Sequence, residues 1–269
     1  MPERIDQGGC IPVGLNELYE NNEPHGLRAF IVLPVQPFHM NSDSSNQNSD
    51  SRNELLAALA AKSSTKQAIY RNTLHHFECI KAVLAELADS WSSVMKERDP
   101  SVEIVFKDKN RFECDFKFSG DTLSLCMHTN VFTFPPQHFV HQSARVVADP
   151  MLGYFGQIQI YNFLSDSFKY NRLADEGLLM ARIFVDRDSH FLVDGKQQFS
   201  FLYNDIQEQV LSRDVLLNIL LQSVQYCLDM DLMVPPYEQV NSVALGQFLM
   251  ENGSSGHKTT KRLGFMSES

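Results

Sequence analysis

Several groups of side chains in this sequence combine residue types that bind metals or move protons. Glu103, Asp115, Cys126, Glu113 and His128 fall on one side of an alternating stretch. The strand pairing derived below sets Glu103 beside Asp115 and Cys126, and Glu113 beside His128. Carboxylate, imidazole and thiolate are the ligand types of zinc and its neighbours. Lys107, Arg111 and Lys117 share that side, so a solvated sheet surface with balanced charge accounts for the same residues.

Cys126-x-His128 and His138-x-x-His141 offer more ligand types, but their spacing departs from the usual zinc patterns and Pro135–Pro136 separates them. Asp186, Asp188 and the run Asp194-Gly195-Lys196 present an acid at one strand end and acid-x-lysine on the next. That arrangement can hold a divalent cation and polarise a water against a phosphoester. The separation is short, and Asp-Gly has a complete explanation as a turn, which is the preferred reading. Gly253 to Thr259 has the composition of a phosphate-binding loop, yet its glycine spacing is wrong and no strand precedes it. His75 and His76 are adjacent, about a quarter-turn apart on a helix, and so do not form the i, i+4 pair of a helical metal site. No Gly-x-Ser-x-Gly, His-Glu-x-x-His or paired Cys-x-x-Cys occurs. No catalytic or metal-ligating residue is therefore assigned, and no cofactor is expected.

These residues depend on the stretch Val102–Phe134 for their placement. Ile104 and Phe106 alternate with Glu103 and Lys107. Phe112, Cys114, Phe116 and Phe118 alternate with Arg111, Glu113, Asp115 and Lys117. Leu123, Leu125 and Met127 alternate with Thr122, Ser124, Cys126 and His128. Side chains on a strand have period two, so each run has one apolar and one polar face. A turn at Lys107–Asn110 would pair Phe106 with Phe112 and Ile104 with Cys114. A four-residue loop after Phe118 would pair Phe118 with Leu123, Phe116 with Leu125 and Cys114 with Met127. All the apolar residues then share a face, which a slip of one residue would destroy.

Further strands are expected at Gly156–Phe163, Leu178–Val185 and, in short form, Ala144–Ala148. A hairpin is expected at Asp194–Gly195, between Phe191–Val193 and Phe199–Phe201. Residues 54–62 are strong helix formers. A long helix follows from Thr65 to Glu97, its seam running through Tyr70, Phe77, Ile80, Leu84, Leu87, Trp91 and Val94. Pro100 stops it. A second long helix spans Ile206–Met230 and ends before Pro235–Pro236.

The expected fold is α+β: an antiparallel sheet of about six to eight strands with two long helices on its apolar face. Residues 1–40 form an N-terminal arm with a possible edge strand at Phe30–Val35, residues 41–53 a disordered linker, 54–240 the main domain and 241–269 a polar disordered tail. The 269 residues are 43% hydrophobic and 21% charged, ordinary for a globular protein, with a net charge of −10. That charge disfavours non-specific nucleic-acid binding. The five cysteines are widely spaced and odd in number, which suits buried thiols in the cytoplasm better than a disulfide framework. No secretory signal follows the N-terminal methionine, and no window holds the roughly 18 uncharged apolar residues of a membrane span. The leading expectation is a binding or assembly module working through protein contacts, with a protein partner or a second copy of itself. The alternatives are a metal-dependent phosphoester hydrolase and a small-molecule binder with an apolar pocket between sheet and C-terminal helix.

Overall fold

The alternation between Val102 and Phe134 becomes the first half of a six-stranded antiparallel meander. The computed structural model describes residues 45–195, 199–246 and 248, and the side chains from 51 onward. The strands are β1 (Ile104–Asn110), β2 (Glu113–Phe118), β3 (Asp121–Thr133), β4 (Tyr154–Leu164), β5 (Leu178–Val185) and β6 (Phe191–Gly195), paired in chain order. The chain is α+β, as the patterning predicts.

Register departs from expectation in two hairpins. Phe116 faces Leu123 and Cys114 faces Leu125, because the β2–β3 turn holds only Ser119 and Gly120. Ser119 takes a positive φ of 59°, the geometry a tight hairpin needs to match strand twist. Phe106 faces Phe116 and Ile104 faces Phe118, because β1 runs on to Asn110 and the turn falls at Arg111–Phe112. Both shifts are by an even number of residues, so every side chain keeps its face. Alternation fixes the face; it does not count turn residues.

One face of the sheet is apolar throughout. Phe116, Leu125, Ile158 and Ile183 belong to a buried cluster with Phe77, Ile80 and Leu84 of α1 (Ser45–Arg98) and with Leu216, Ile219 and Leu220 of α5 (Arg213–Leu228). Trp91 of α1 packs its ring 5.8 Å from that of Phe116. Gly156 of β4 lets α1 come close: a Cβ there would lie 1.9 Å from Thr73 Oγ1. The other face is apolar only near the β3–β4 connection. There Phe155, Phe184 and Leu192 bury against Val140, Val146 and Leu152, which come from the connection itself. That connection holds α2 (Ala144–Ala148) between two 3₁₀ turns, Phe139–Gln142 and Pro150–Gly153.

Other segments differ from the reading above. Ala144–Ala148 is helical, not extended: Ser143 caps it by accepting the Val146 N–H. α1 begins at Ser45, inside the stretch expected as a linker, and runs without a break to Arg98. No glycine or proline interrupts it, so the helix formers at 54–62 propagate both ways. The C-terminal helix starts at Arg213 rather than Ile206, because the Ser212 hydroxyl caps it. Asp194–Gly195 is not a turn. The turn is Asp186–His190, β6 ends at Gly195, and Phe199–Leu202 is the short helix α4. Residues 165–169 form the short helix α3 (Ser165–Lys169). The N-terminal arm with Phe30–Val35, and residues beyond 248, lie outside the described residues.

Candidate functional site

The outer face of the sheet does not gather its carboxylates. Glu103 takes Lys117 as a partner at 2.5 Å. Asp115 takes Lys109 at 2.8 Å and accepts the Ser124 hydroxyl at 2.7 Å. Glu113 lies opposite Cys126 and accepts from the Asn110 amide, while Cys126 donates to Gln159 Oε1 at 3.5 Å. Burial raises the Cys126 thiol pKa, and Glu113 raises it further. Each acid has its own local partner, which is the solvated-surface arrangement.

The histidines hold backbone. His128 Nδ1 accepts the Asn130 N–H at 3.0 Å, inside the irregularity where β3 carries extra residues against β4. His138 stacks on Phe134 at 4.1 Å, and its Nδ1 accepts the Val140 N–H that opens the first 3₁₀ turn. His141 Nε2 meets Phe134 O at 3.0 Å. Among the described residues no three His, Cys, Asp or Glu side chains converge to hold a metal ion.

Asp186 and Asp194 sit at opposite ends of the β5–β6 hairpin. Asp194 pairs with Arg182 across the strands. Lys196 lies outside the described residues, as does Gly253 to Thr259. Asp186 anchors its own turn instead. Its Oδ1 accepts the N–H groups of Asp188 and His190 at 2.7 and 2.9 Å, and its Oδ2 accepts Arg145 Nη2 at 3.0 Å. Burial raises its pKa, while those donors pull the other way.

The same turn is latched to α1. Asn72 Nδ2 donates to Asp186 O at 2.8 Å, Ser189 Oγ donates to Asn72 Oδ1 at 3.1 Å, and His76 Nε2 lies 3.0 Å from Ser189 Oγ. A serine beside a histidine invites a nucleophile–base reading. The hydrogen count argues otherwise: Ser189 gives its single proton to Asn72, so His76 Nε2 must carry a proton and donate it. Burial, helped by His75, lowers the His76 pKa to about 4 and keeps the ring neutral. The group fastens the hairpin to the helix.

Three further features bear on function; the first and third escaped the sequence patterns, while the second lies where the small-molecule alternative placed an apolar pocket between sheet and C-terminal helix. Lys81 is buried on α1, yet its ammonium donates to Asn110 O at 2.8 Å and meets Asp108 at 2.9 Å, tying helix to hairpin. Its position beside the helical seam, four residues after Phe77 and three before Leu84, was the only available signal. A cavity of about 350 Å³ lies between β1, β2 and the C-terminal ends of α1 and α5. Third, residues 51–64 of α1 are all exposed, with Leu55, Leu56 and Leu59 at 71, 63 and 61%. This portion precedes the first buried residues of the helix, Thr65 and Ile69. Its Ala and Leu content reads as helix propensity alone, so nothing in the sequence separated it from the packed part.

No family model matches the chain, and neither the curated proteins nor the solved structures contain a significant match. Among the described residues, no helix is long and apolar enough to cross a membrane.

Proposed function

We propose that the protein is a non-enzymatic assembly module that self-associates through the exposed N-terminal part of α1. The observation that carries this is the row of exposed leucines on a helix with no buried residue between 51 and 64. A lone helix of that length gains little in water, and most helical stability comes from packing an apolar face. An antiparallel copy related by a two-fold axis midway between Ala57 and Ala58 sets Leu56 against Leu59 of the partner and Leu55 against Ala60 of the partner. At about 100° per residue these four positions share one helix face, so the leucines are covered on both sides of the axis, as an isologous contact requires. The reading extends to the cytoplasm as the site of action. Cys79, Cys114, Cys126 and Cys227 are free thiols, in keeping with a reducing compartment.

The test places charge in the leucine row and follows it by sedimentation velocity. Wild type is expected to sediment as a dimer at micromolar concentration. Leu56→Glu weakens the dimer by setting a carboxylate against Leu59 of the partner, and Leu56→Glu with Leu59→Lys restores it through two opposite-charge pairs related by the axis. A wild type that is monomeric at every concentration, or a double variant no tighter than the single one, overturns the reading.

A further inference from the structure

We infer that the protein binds a single-chain anionic amphiphile around the tip of the β2–β3 hairpin. The hydrocarbon chain lies in the cavity beneath Trp91, and the headgroup meets Lys117, Lys169 and Arg172. Two cavities meet at this tip and share Ser119. The first, of about 350 Å³, is walled by Trp91, Val94, Ile104, Phe118, Val224 and Leu228. Ser119 is the sole hydroxyl among its lining residues, and no charged side chain lines it. The second, of about 300 Å³, is lined by Lys117, Lys169 and Arg172 together with Asp166 and Leu232.

Charge decides the headgroup. Lys117 is already paired with Glu103, and Asp166 answers one more cation, so one positive charge of the notch remains unmatched. The Arg172 Nε is shielded from solvent and meets no hydrogen-bond acceptor among the described residues. A ligand oxygen cannot reach that nitrogen, so the headgroup meets the Arg172 Nη groups and the Lys169 ammonium instead. Volume decides the tail. Ligand cavities run from roughly 300 to 1,000 Å³, and this one stands at the small end, enough for one chain and not for two. A peptide fits worse, because its backbone amides would enter a cavity that offers them only Ser119. The chain leaving α5 follows the same path, Leu228 lining the first cavity and Leu232 the second.

Trp91 is the only tryptophan, so the cavity contains its own reporter. The full-length protein is titrated with sodium octanoate, sodium decanoate, decyl phosphate and decanol, each below its aggregation concentration, while Trp91 emission and, in parallel, calorimetric heat are followed. Decanoate is expected to give a saturable blue shift. Lengthening the chain from octanoate tightens binding roughly fourfold per methylene, the equivalent of about 0.8 kcal/mol. Decanol binds at least tenfold more weakly, about 1.4 kcal/mol. Lys169→Gln with Arg172→Gln weakens decanoate and leaves decanol unchanged. The tighter of decanoate and decyl phosphate identifies a carboxylate or a phosphate as the natural headgroup. Absence of saturable heat and emission change with every anionic chain overturns the inference. Decanol binding as tightly as decanoate, or a double variant that treats the two as wild type does, overturns it equally.

Discussion

Replacing Gly156 by alanine is expected to force α1 away from β4. The added Cβ would lie 1.9 Å from Thr73 Oγ1, 2.8 Å from its Cβ and 2.9 Å from its Cγ2. Carbon atoms in contact prefer roughly 3.5–4.0 Å. Thr73 is fully enclosed, and its hydroxyl donates to Ile69 O at 2.8 Å, so the side chain has little room to turn aside. Helix and strand must therefore separate by about an ångström, at about 1–3 kcal/mol for an overpacked core. Alanine's smaller loss of backbone freedom on folding returns about 0.5–1 kcal/mol. The net loss is about 1 kcal/mol, which for a unit of this size lowers Tm by about 2–4 °C. Thermal and urea unfolding followed by circular dichroism read it directly. Adding Thr73→Ala removes the two outer atoms of the clash and leaves the 2.8 Å contact with Cβ. In the Thr73→Ala background Gly156→Ala should cost about half as much as in wild type, a coupling of about 0.5 kcal/mol. A Gly156→Ala protein that melts within about a degree of wild type would refute the close approach of α1 to β4.

Acid should loosen the latch between α1 and the β5–β6 turn. The His76 pKa falls from its ordinary 6.5 to about 4, chiefly through burial and then through His75. Its contribution is complete above pH 6.5 and is lost as pH drops through 4, by up to about 3 kcal/mol. His76→Gln should flatten that part of the stability–pH curve, and an unchanged slope would count against a buried neutral ring. Arg145→Met should cost about 2–3 kcal/mol, because Asp186 keeps its two backbone donors but loses its cation. Asp186→Asn in the same chain should recover part of that in urea titrations; an Arg145→Met effect below about 0.5 kcal/mol would show the pair to be idle.

The sheet was legible because its signal is local. Phe116, Leu125 and Ile160 alternate with polar residues within their own strands, and that pattern survives an error in turn length. The latch was not legible. Ser189 adopts a positive φ of 67° without being glycine, so the real β5–β6 turn carried no turn signature, while Asp194–Gly195 carried one and is not a turn. Asn72 and His76 meet that turn from more than a hundred residues upstream. No periodicity within either segment encodes the meeting. The acidic candidates failed for a related reason: spacing showed that Glu103 and Asp115 share a face, whereas Lys117 and Lys109, which occupy them, follow from the true register. The exposed leucines of α1 differ from its buried ones only in preceding Thr65, where burial of the helix begins.

The latch also orders events during synthesis. α1 leaves the ribosome before β1 to β6, yet Asn72 and His76 find their partners only after residues 186–189 have been made. Each hairpin of the meander can close as soon as its second strand emerges, since every pairing is between neighbours in the chain. The helix has no such privilege. Its apolar stripe, Ile69 to Ala88, must wait uncovered through the making of most of the sheet. A nascent chain arrested before Asp186 would present that stripe to chaperones, and release past His190 would withdraw it.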